Sequence, residues 1–341
     1  MKKKCAYFLV AALSVSMLAG CGSKSKGSDN STKKEAKSEK VSVGLSDVLA
    51  NIAEAATGIE SVKLEANGEA EVVISMSGQE MTATGSINLA SNAVKADPAF
   101  DVKGTAEYNL DMGGQNISGD YSVEAYAEEE DDKMTVYAQT NDTGWEKSSM
   151  EKSEFDEAFE QIESAIESMA KSFSELSEDD LKQVEEYVKL EDKTKSVNGK
   201  QCYVLTLDVD RDQIIELAEM GQELTDEYTD EEFTEYLDTF KEFDKFDITV
   251  SLYFDKDTYL PVKVSMDIAM DGEVQGYTIS VKKLSLEVVL GVNDDVSVSP
   301  VPEDAKENAV EAEDYDFDED YDFDEDYDTE DVETEDVDVE E

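Results

Sequence analysis

The sequence predicts an α+β domain in which amphipathic helices cover an antiparallel β-meander, with an export signal before it and an acidic tail after it. Three observations lead there. From Val62 to Ala138 apolar residues recur at every second position between turn signals. From Phe155 to Phe243 they recur mostly at helical spacing, opposite acidic faces. Beyond Pro302 the chain is dominated by Asp and Glu.

Charge is the first constraint. The 341 residues hold 85 Asp+Glu against 29 Lys+Arg and no His, for a net charge of −56. Residues 1–40 carry +6, residues 303–341 carry −22, and residues 41–302 carry −40. Nucleic acid is expected to be no partner of such a surface, because like charges repel. The lack of His removes the commonest general base and metal ligand.

Residues 1–20 have the parts of a secretory signal peptide: Lys2, Lys3 and Lys4, an apolar run from Ala6 to Leu13, and small residues after it. The junction Leu18-Ala19-Gly20-Cys21 resembles the lipobox of bacterial lipoproteins. That resemblance implies cleavage before Cys21, acylation of Cys21 and anchoring on the extracytoplasmic face of the cell membrane. Residues 21–41 read as a flexible tether of Ser, Lys, Gly and Asn. Cys5 leaves with the signal, so Cys202 is the one thiol left for the domain. Its apolar setting, Cys202-Tyr203-Val204-Leu205, marks a buried small hydrophobe rather than a nucleophile.

The domain is expected over residues 42–299. It opens with a short helix, Val48, Leu49, Ile52, Ala55 and Ile59 on one side and Ser46 as N-cap. The first strand places the even positions from Val62 to Met76 on one face and turns at Ser77-Gly78. The second returns with Met81, Ala83, Gly85, Ile87 and Leu89. The third carries Val102 to Met112, and Gly113-Gly114 turns it. The fourth carries Ile117 to Ala125 and the fifth Met134, Val136 and Ala138; a short sixth holds Trp145. Helices follow. Ser153 with Asp156 caps a stripe through Phe155, Phe159, Ile162, Ile166 and Phe173, and Ser177 with Asp180 caps a helix reaching Val188. A strand spans 201–209 after the Asn198-Gly199 turn, and Ile214, Ile215 and Leu217 begin a further helix. Thr229 with Glu232 caps a helix from Phe233 to Phe243. Three strands close the domain, with a bulge at Lys282-Lys283 where the alternation slips.

The inward face is small in mid-strand, bulky on either side. Ala66, Gly68 and Ala70, then Ala83 and Gly85, then Gly104 and Ala106, then Gly119 share it. Small residues there allow tight curvature, close helix approach or room for a ligand. Helix packing alone is the favoured explanation. The ligand alternative is a gap between the layers, bordered by Ala70, Gly85, Ala106 and Gly119 below and Ile162 and Ile166 above, suited to an apolar ligand such as an acyl chain.

Three local patterns carry a resemblance. They are Met134-Thr-Val-Tyr-Ala followed by Gly144-Trp145-Glu-Lys147, then Gly199-Lys-Gln-Cys-Tyr-Val-Leu, and then Phe254-Asp255-Lys-Asp257-Thr-Tyr-Leu260-Pro261-Val-Lys263. With the lipobox and the element order, the chain resembles uncharacterised lipoproteins of Gram-positive bacteria. Their fold is similar to LolA-like carriers and LppX-like lipoproteins. The resemblance spans about residues 42–290. It implies a curved antiparallel half-barrel with helices across its concave face, and some relatives hold acyl chains between the layers.

Pro300 and Pro302 mark the expected start of a disordered acidic tail, 300–341. Asp314-Tyr-Asp-Phe-Asp-Glu319 repeats at 320–325 and begins again at Asp326. A solvated tail is the plain reading. Capture of a basic protein and weak Ca²⁺ binding are the sharper ones; the repeat lacks the Gly of an EF-hand loop.

No phosphate loop, nucleophile elbow or Cys-x-x-Cys is present. The expectation is therefore a non-enzymatic lipoprotein without catalytic residues, cofactor or metal site, which binds an apolar ligand. The alternative is a cell-surface interaction or spacer protein acting through its tail.

Overall fold

The computed structural model of the protein describes residues 38–55, 58–130, 133–141, 143–161, 164, 182, 185–222, 237, 240–274 and 276–312. Cys21, Ile162, Ile166, Phe173, Ser177, Thr229 and the Asp/Tyr/Phe repeat lie outside the described residues; of the helices expected from Ser177 and Thr229, residues 182, 185–187, 237 and 240–241 are described and are helical. The chain divides into two units, Met1–Glu311 and Ala312–Glu341.

The first unit is built on an open, curled and almost wholly antiparallel sheet. Its strands in chain order are β1 (Ser61–Met76), β2 (Gln79–Val94), β3 (Ala99–Met112), β4 (Asn116–Glu130), β5 (Lys133–Thr140) and β6 (Glu146–Glu151). Then come β7 (Val188–Leu190), β8 (Lys195–Val197), β9 (Lys200–Val209), β10 (Phe243–Asp255), β11 (Pro261–Val274), β12 (Tyr277–Val292) and β13 (Val310–Glu311). The order across the sheet is β13-β6-β5-β4-β3-β2-β1-β12-β11-β10-β9-β7, with β8 on β9. β1 and β12 are the join: residues near the two ends of the domain meet there, Val62 opposite Val292.

The alternation read from the sequence sets the register. Ala66 faces Leu89 and Val288, Gly68 faces Ile87 and Leu286, and Ala70 faces Gly85 and Leu284. A one-residue slip would turn every apolar side chain to the other face. Ser77-Gly78 and Asn198-Gly199 close two-residue hairpins with both residues at positive φ, 51° and 81° in the first and 48° and 88° in the second. That is the twist such tight turns need. The expected bulge is present: pairing passes from Glu71–Lys283 to Val72–Val281, leaving Lys282 extra.

Helix starts differ from the sequence reading. Helix α1 (Leu45–Ala55) begins before Ser46; the Gly44 N–H donates to the Asp47 carboxylate at 3.3 Å, so a side chain in the first turn reaches back to the cap. Helix α2 (residues 152–161) likewise begins before Ser153, with the Glu151 N–H donating to Glu154 at 3.2 Å. Val188 belongs to β7 and Phe243 to β10, where ladder pairing overrides the helical spacing. Helix α3 (Arg211–Gln222) forms where Ile214 and Ile215 predict it.

Three clusters make the core. In the first, Leu45, Val48, Leu49 and Ile52 of α1 pack with Ala66, Leu205, Val250, Leu252, Val264 and Val288 of the sheet. In the second, Phe155 and Phe159 of α2 join Ile59, Ala127, Met134 and Val292, with Val62 and Phe100 packed against them. The third contains Tyr126, Tyr137, Trp145, Val301 and Ala305. Because Tyr126 and Ala127 alternate in β4 and both are buried, this end of the sheet is packed on both faces.

The third cluster moves the domain boundary. Helix α4 (Glu303–Asn308) and β13 follow Pro300 and Pro302, where the tail was expected to begin. Val301 and Ala305 are buried, Val310 and Glu311 pair with Glu146 and Lys147 of β6, and the Ser299 N–H donates to the buried Asp101 carboxylate. Composition alone hides this, since the apolar anchors are few and sit among acids.

Candidate functional site: the uncovered inner face

The side chains that α1 and α2 cover belong to one face of the sheet, here the inner face. Its remaining part lies toward the hairpin turns. None of the three buried clusters draws on residues 70–87 or 104–123. Inner-face positions there are Ala70, Val72, Ile74 and Met76 on β1, then Met81, Ala83, Gly85 and Ile87 on β2. They continue with Ala106, Tyr108, Leu110 and Met112 on β3, and Ile117, Gly119 and Tyr121 on β4. Not one is a carboxylate or a cation. Among the described residues, eight large hydrophobics are exposed; Met76, Tyr108, Met112, Ile117, Tyr121, Tyr277 and Leu284 share this face, and Val310 is the exception. Tyr108 is 54 % exposed and Ile117 49 %. Scattered surface hydrophobics need no explanation, but a contiguous group does.

The candidate residues from the sequence fall within or beside this area. Gly85, Ala106 and Gly119, with Tyr108 and Tyr121, contribute to a trough of about 610 Å³, most of whose lining, Thr84, Ser86, Glu107 and Asp120 among it, comes from the alternate positions of the opposite, polar face. Ala70 lies next to Gly85 in the ladder without joining that lining. The upper partners Ile162 and Ile166 lie outside the described residues, so no enclosed gap between layers is defined by these six positions.

The glycines have a local cause. A Cβ built on Gly68 would lie 2.6 Å from Ile87 Cγ1, and one on Gly119 would lie 2.6 Å from Tyr108 Oη. On Gly104 it would meet Val123 and Leu89 at 3.1 and 3.2 Å. Each of these glycines is a seat for a large side chain from the neighbouring strand. Gly85 differs: its nearest neighbour is a backbone oxygen 3.7 Å away. Cross-strand seating therefore accounts for three of the small positions that the sequence reading assigned to helix packing.

What the sequence reading missed was that the bulky half of the pattern stands exposed. Met76, Met112 and Ile117 stand beside the turns, and apolar inward positions that run unbroken into a hairpin turn were the available signal.

The opposite face carries the charge. The lysines of β1, β3, β11 and β12 are all ion-paired: Lys63 with Glu65 at 2.8 Å, Lys103 with Glu124 at 3.6 Å, Lys282 with Asp271 at 3.7 Å, Lys263 with Glu287, and Lys283 with Glu69. Hydrogen bonding to Tyr126 raises the pKa of Lys103, and the Glu69 carboxylate raises that of Lys283. A polar depression of about 460 Å³ lies along Asn67, Asn88, Lys103 and Glu124. No cluster of three or more His, Cys, Asp or Glu with metal-holding geometry occurs among the described residues.

The three patterns behind the family resemblance are structural. Gly144, at φ 112°, turns the chain so that the Trp145 ring packs 5.8 Å from Tyr126 and its indole N–H reaches Asp304. The Asp255 carboxylate accepts the Asp257 N–H at 2.8 Å and the Thr258 N–H at 3.4 Å, which closes the β10–β11 turn. Tyr259 then adopts φ 59° and stacks on Tyr203 at 5.7 Å. Cys202 is fully buried in β9.

A sequence model described as a family of unknown function (DUF6612) matches residues 44–310, and the chain belongs to that family. No curated protein matches. Among solved structures, one similar chain is a β-barrel-like protein of domain of unknown function DUF1849 from Brucella abortus. It shares 12 % identity and a TM-score of 0.21, over 70 % of this chain and 100 % of that one. A DUF1329 family protein from Desulfovibrio piger shares 14 % identity and a TM-score of 0.16, over 74 % and 93 %. The translocator domain of the autotransporter NalP from Neisseria meningitidis shares 8 % and 0.20, over 71 % and 93 %. Likenesses at these scores carry no argument about function.

Proposed function

We propose that this member of the DUF6612 family is a non-enzymatic extracytoplasmic lipoprotein, anchored through Cys21, that holds an apolar ligand on the inner face of its curled sheet. The observation that carries the reading is the charge-free inner face from Ala70 to Tyr121, where Met76, Tyr108, Met112, Ile117 and Tyr121 stand exposed, with Tyr277 and Leu284 of β12 beside them. An acidic chain gains nothing in solubility from such a surface, and burying it under a ligand stabilises by about 25 cal/mol per Å² of apolar area.

The anchor reading fits the placement of the first described residues. The Val41 N–H donates to the Asp192 carbonyl and the Thr194 N–H to the Glu39 carbonyl, both at 2.9 Å, and Glu39 pairs with Lys256 beyond β10. That is the end of the sheet where β1 begins. The exposed residues lie at the other end of a 16-residue strand, about 50 Å away at 3.3 Å per residue. A tether at Cys21 leaves the apolar end free to meet its ligand. The finer likeness to LolA-like carriers, with helices across the concave face, is part of the same proposal.

Native mass spectrometry of the mature chain, with titration of a neutral fluorescent apolar probe, tests the reading. The expected result is a co-purifying apolar mass or saturable probe binding that Ile117→Ser with Tyr121→Ser weakens. A chain that carries no such mass and binds no probe refutes it.

A further inference from the structure

We infer that the open edge of β4 beside the β3–β4 turn pairs with the same edge of a second copy of this chain, so that the sheet runs on from one molecule into the other. β5 pairs with β4 only from Val123 onward, and residues 116–121 of β4 extend beyond it. At Ser122 the N–H donates to the Asn141 side-chain oxygen at 2.6 Å and the carbonyl accepts the Asn141 N–H at 2.9 Å. Backbone direction alternates along a strand, so the N–H and C=O of Ser118 and Asp120 point the same way as those of Ser122. No described residue meets them there.

This stretch has none of the devices that blunt an edge: it holds no Lys, no Pro and no bulge. Other edges are covered. β13 lies on β6, and β7 and β8 lie on β9. β10 also outruns β9, from Phe243 to Asp247, but there Arg211 donates to the Phe243 carbonyl at 2.6 Å and Lys245 pairs with Asp247 at 3.2 Å.

The edge sequence selects the occupant. Ile117-Ser118-Gly119-Asp120-Tyr121 complements itself when a two-fold axis passes through Gly119. Ser118 of each copy then faces Asp120 of the other, and the two exchange their backbone hydrogen bonds. Ile117 of each faces Tyr121 of the other, an aromatic and β-branched pair on the inner face. Both side chains are exposed in the single chain. The one carboxylate of the stretch meets a hydroxyl. Moving the axis to Asp120 sets the two carboxylates together and brings Ser118 against Ser122, which Asn141 already holds. Moving it to Ser118 sets Ile117 against Gly119 and leaves Tyr121 opposite the turn. An unrelated strand would have to match this pattern with its own sequence, whereas a second copy matches it necessarily. The pairing joins two inner faces into one apolar surface and does not depend on what either face binds.

The test uses the full chain with Cys5→Ser and Cys21→Ser, which leaves buried Cys202 as the remaining thiol. Sedimentation should show a concentration-dependent dimer. Both copies carry −56, so added salt should tighten it by screening their repulsion. An Ile117→Cys chain mixed with a Tyr121→Cys chain should form the mixed disulfide dimer, since those positions would lie about 4.5 Å apart between Cα atoms. Neither chain alone should cross-link, because like positions would lie about 14 Å apart along the strands. Ser118→Asp places carboxylates opposite one another and should weaken the dimer roughly threefold or more; adding Asp120→Ser should restore it. Ser118→Pro removes an N–H that the single chain does not use and should weaken the dimer roughly tenfold with an unchanged melting curve. A monomer at every concentration, a dimer that salt dissociates, cross-linking of either cysteine chain with itself alone, or a Ser118→Asp defect that Asp120→Ser does not restore overturns the inference.

Discussion

The indole N–H of Trp145 donates to the Asp304 carboxylate 3.1 Å away, and this contact ties the segment after Pro302 to the outer face of the sheet. Ala305 is fully buried beside it, and the Val310 N–H continues the attachment to the Trp145 carbonyl at 3.0 Å.

Trp145 is the single tryptophan of the chain, so its emission reports on that attachment alone. Asp304→Ala should shift the emission to the red and lower stability by about 1–2 kcal/mol, as for a partly buried charge-assisted hydrogen bond. Unchanged emission and an unchanged melting curve would mean that Val301 and Ala305 hold the segment without it.

The glycines of the inner face should divide by what sits over them. Gly68→Ala forces Ile87 aside and should cost about 1–3 kcal/mol, with Ile87→Ala in the same chain recovering part of that loss. Gly85→Ala meets nothing closer than 3.7 Å and should be neutral or stabilising by up to about 1 kcal/mol. Denaturant unfolding of the three variants checks the order; equal costs at both glycines would remove the seating argument.

Cys202 should be silent toward thiol reagents in the folded protein. Burial pushes its thiol up to about 11 from an ordinary 9.0. The folded state therefore holds the proton more tightly than the unfolded chain. This contribution to stability is complete below about pH 9 and is lost as pH rises toward about 11. Labelling by an aromatic disulfide at pH 8 should proceed only at the rate of unfolding. Rapid labelling of the native chain would show the thiol to be accessible.

The anchor can be tested without any structure. Cys21→Ala should abolish acyl labelling and cleavage before residue 21 in a bacterial host. Continued incorporation of palmitate by the variant would refute the lipobox reading.

Much of the fold was legible because it is encoded locally. The even positions of β1 and the odd positions of β2 form one apolar row, and tight turns such as Ser77-Gly78 have only one economical geometry. The site was legible only in part. Gly85, Ala106 and Gly119 were visible as small, yet their surroundings were not, because the ring over Gly119 comes from Tyr108 on another strand. The exposed group from Met76 to Leu284 looks in sequence like any buried face. Alternation reports which side a residue takes and cannot report whether anything covers that side.

By itself, then, the sequence determined the strands of the meander, their faces, the bulge at Lys282 and the burial of Cys202. All of these follow from side-chain period, turn chemistry and neighbours a few residues away. Tertiary structure alone decided that β1 pairs with β12, that α1 fills the first cluster, that Phe155 and Phe159 join the second, and that the chain continues as paired structure to Glu311. Those outcomes join residues far apart in the chain, as Val62 with Val292 and Trp145 with Asp304. No local pattern records such a pairing, because its free energy appears only when distant apolar surfaces leave water together.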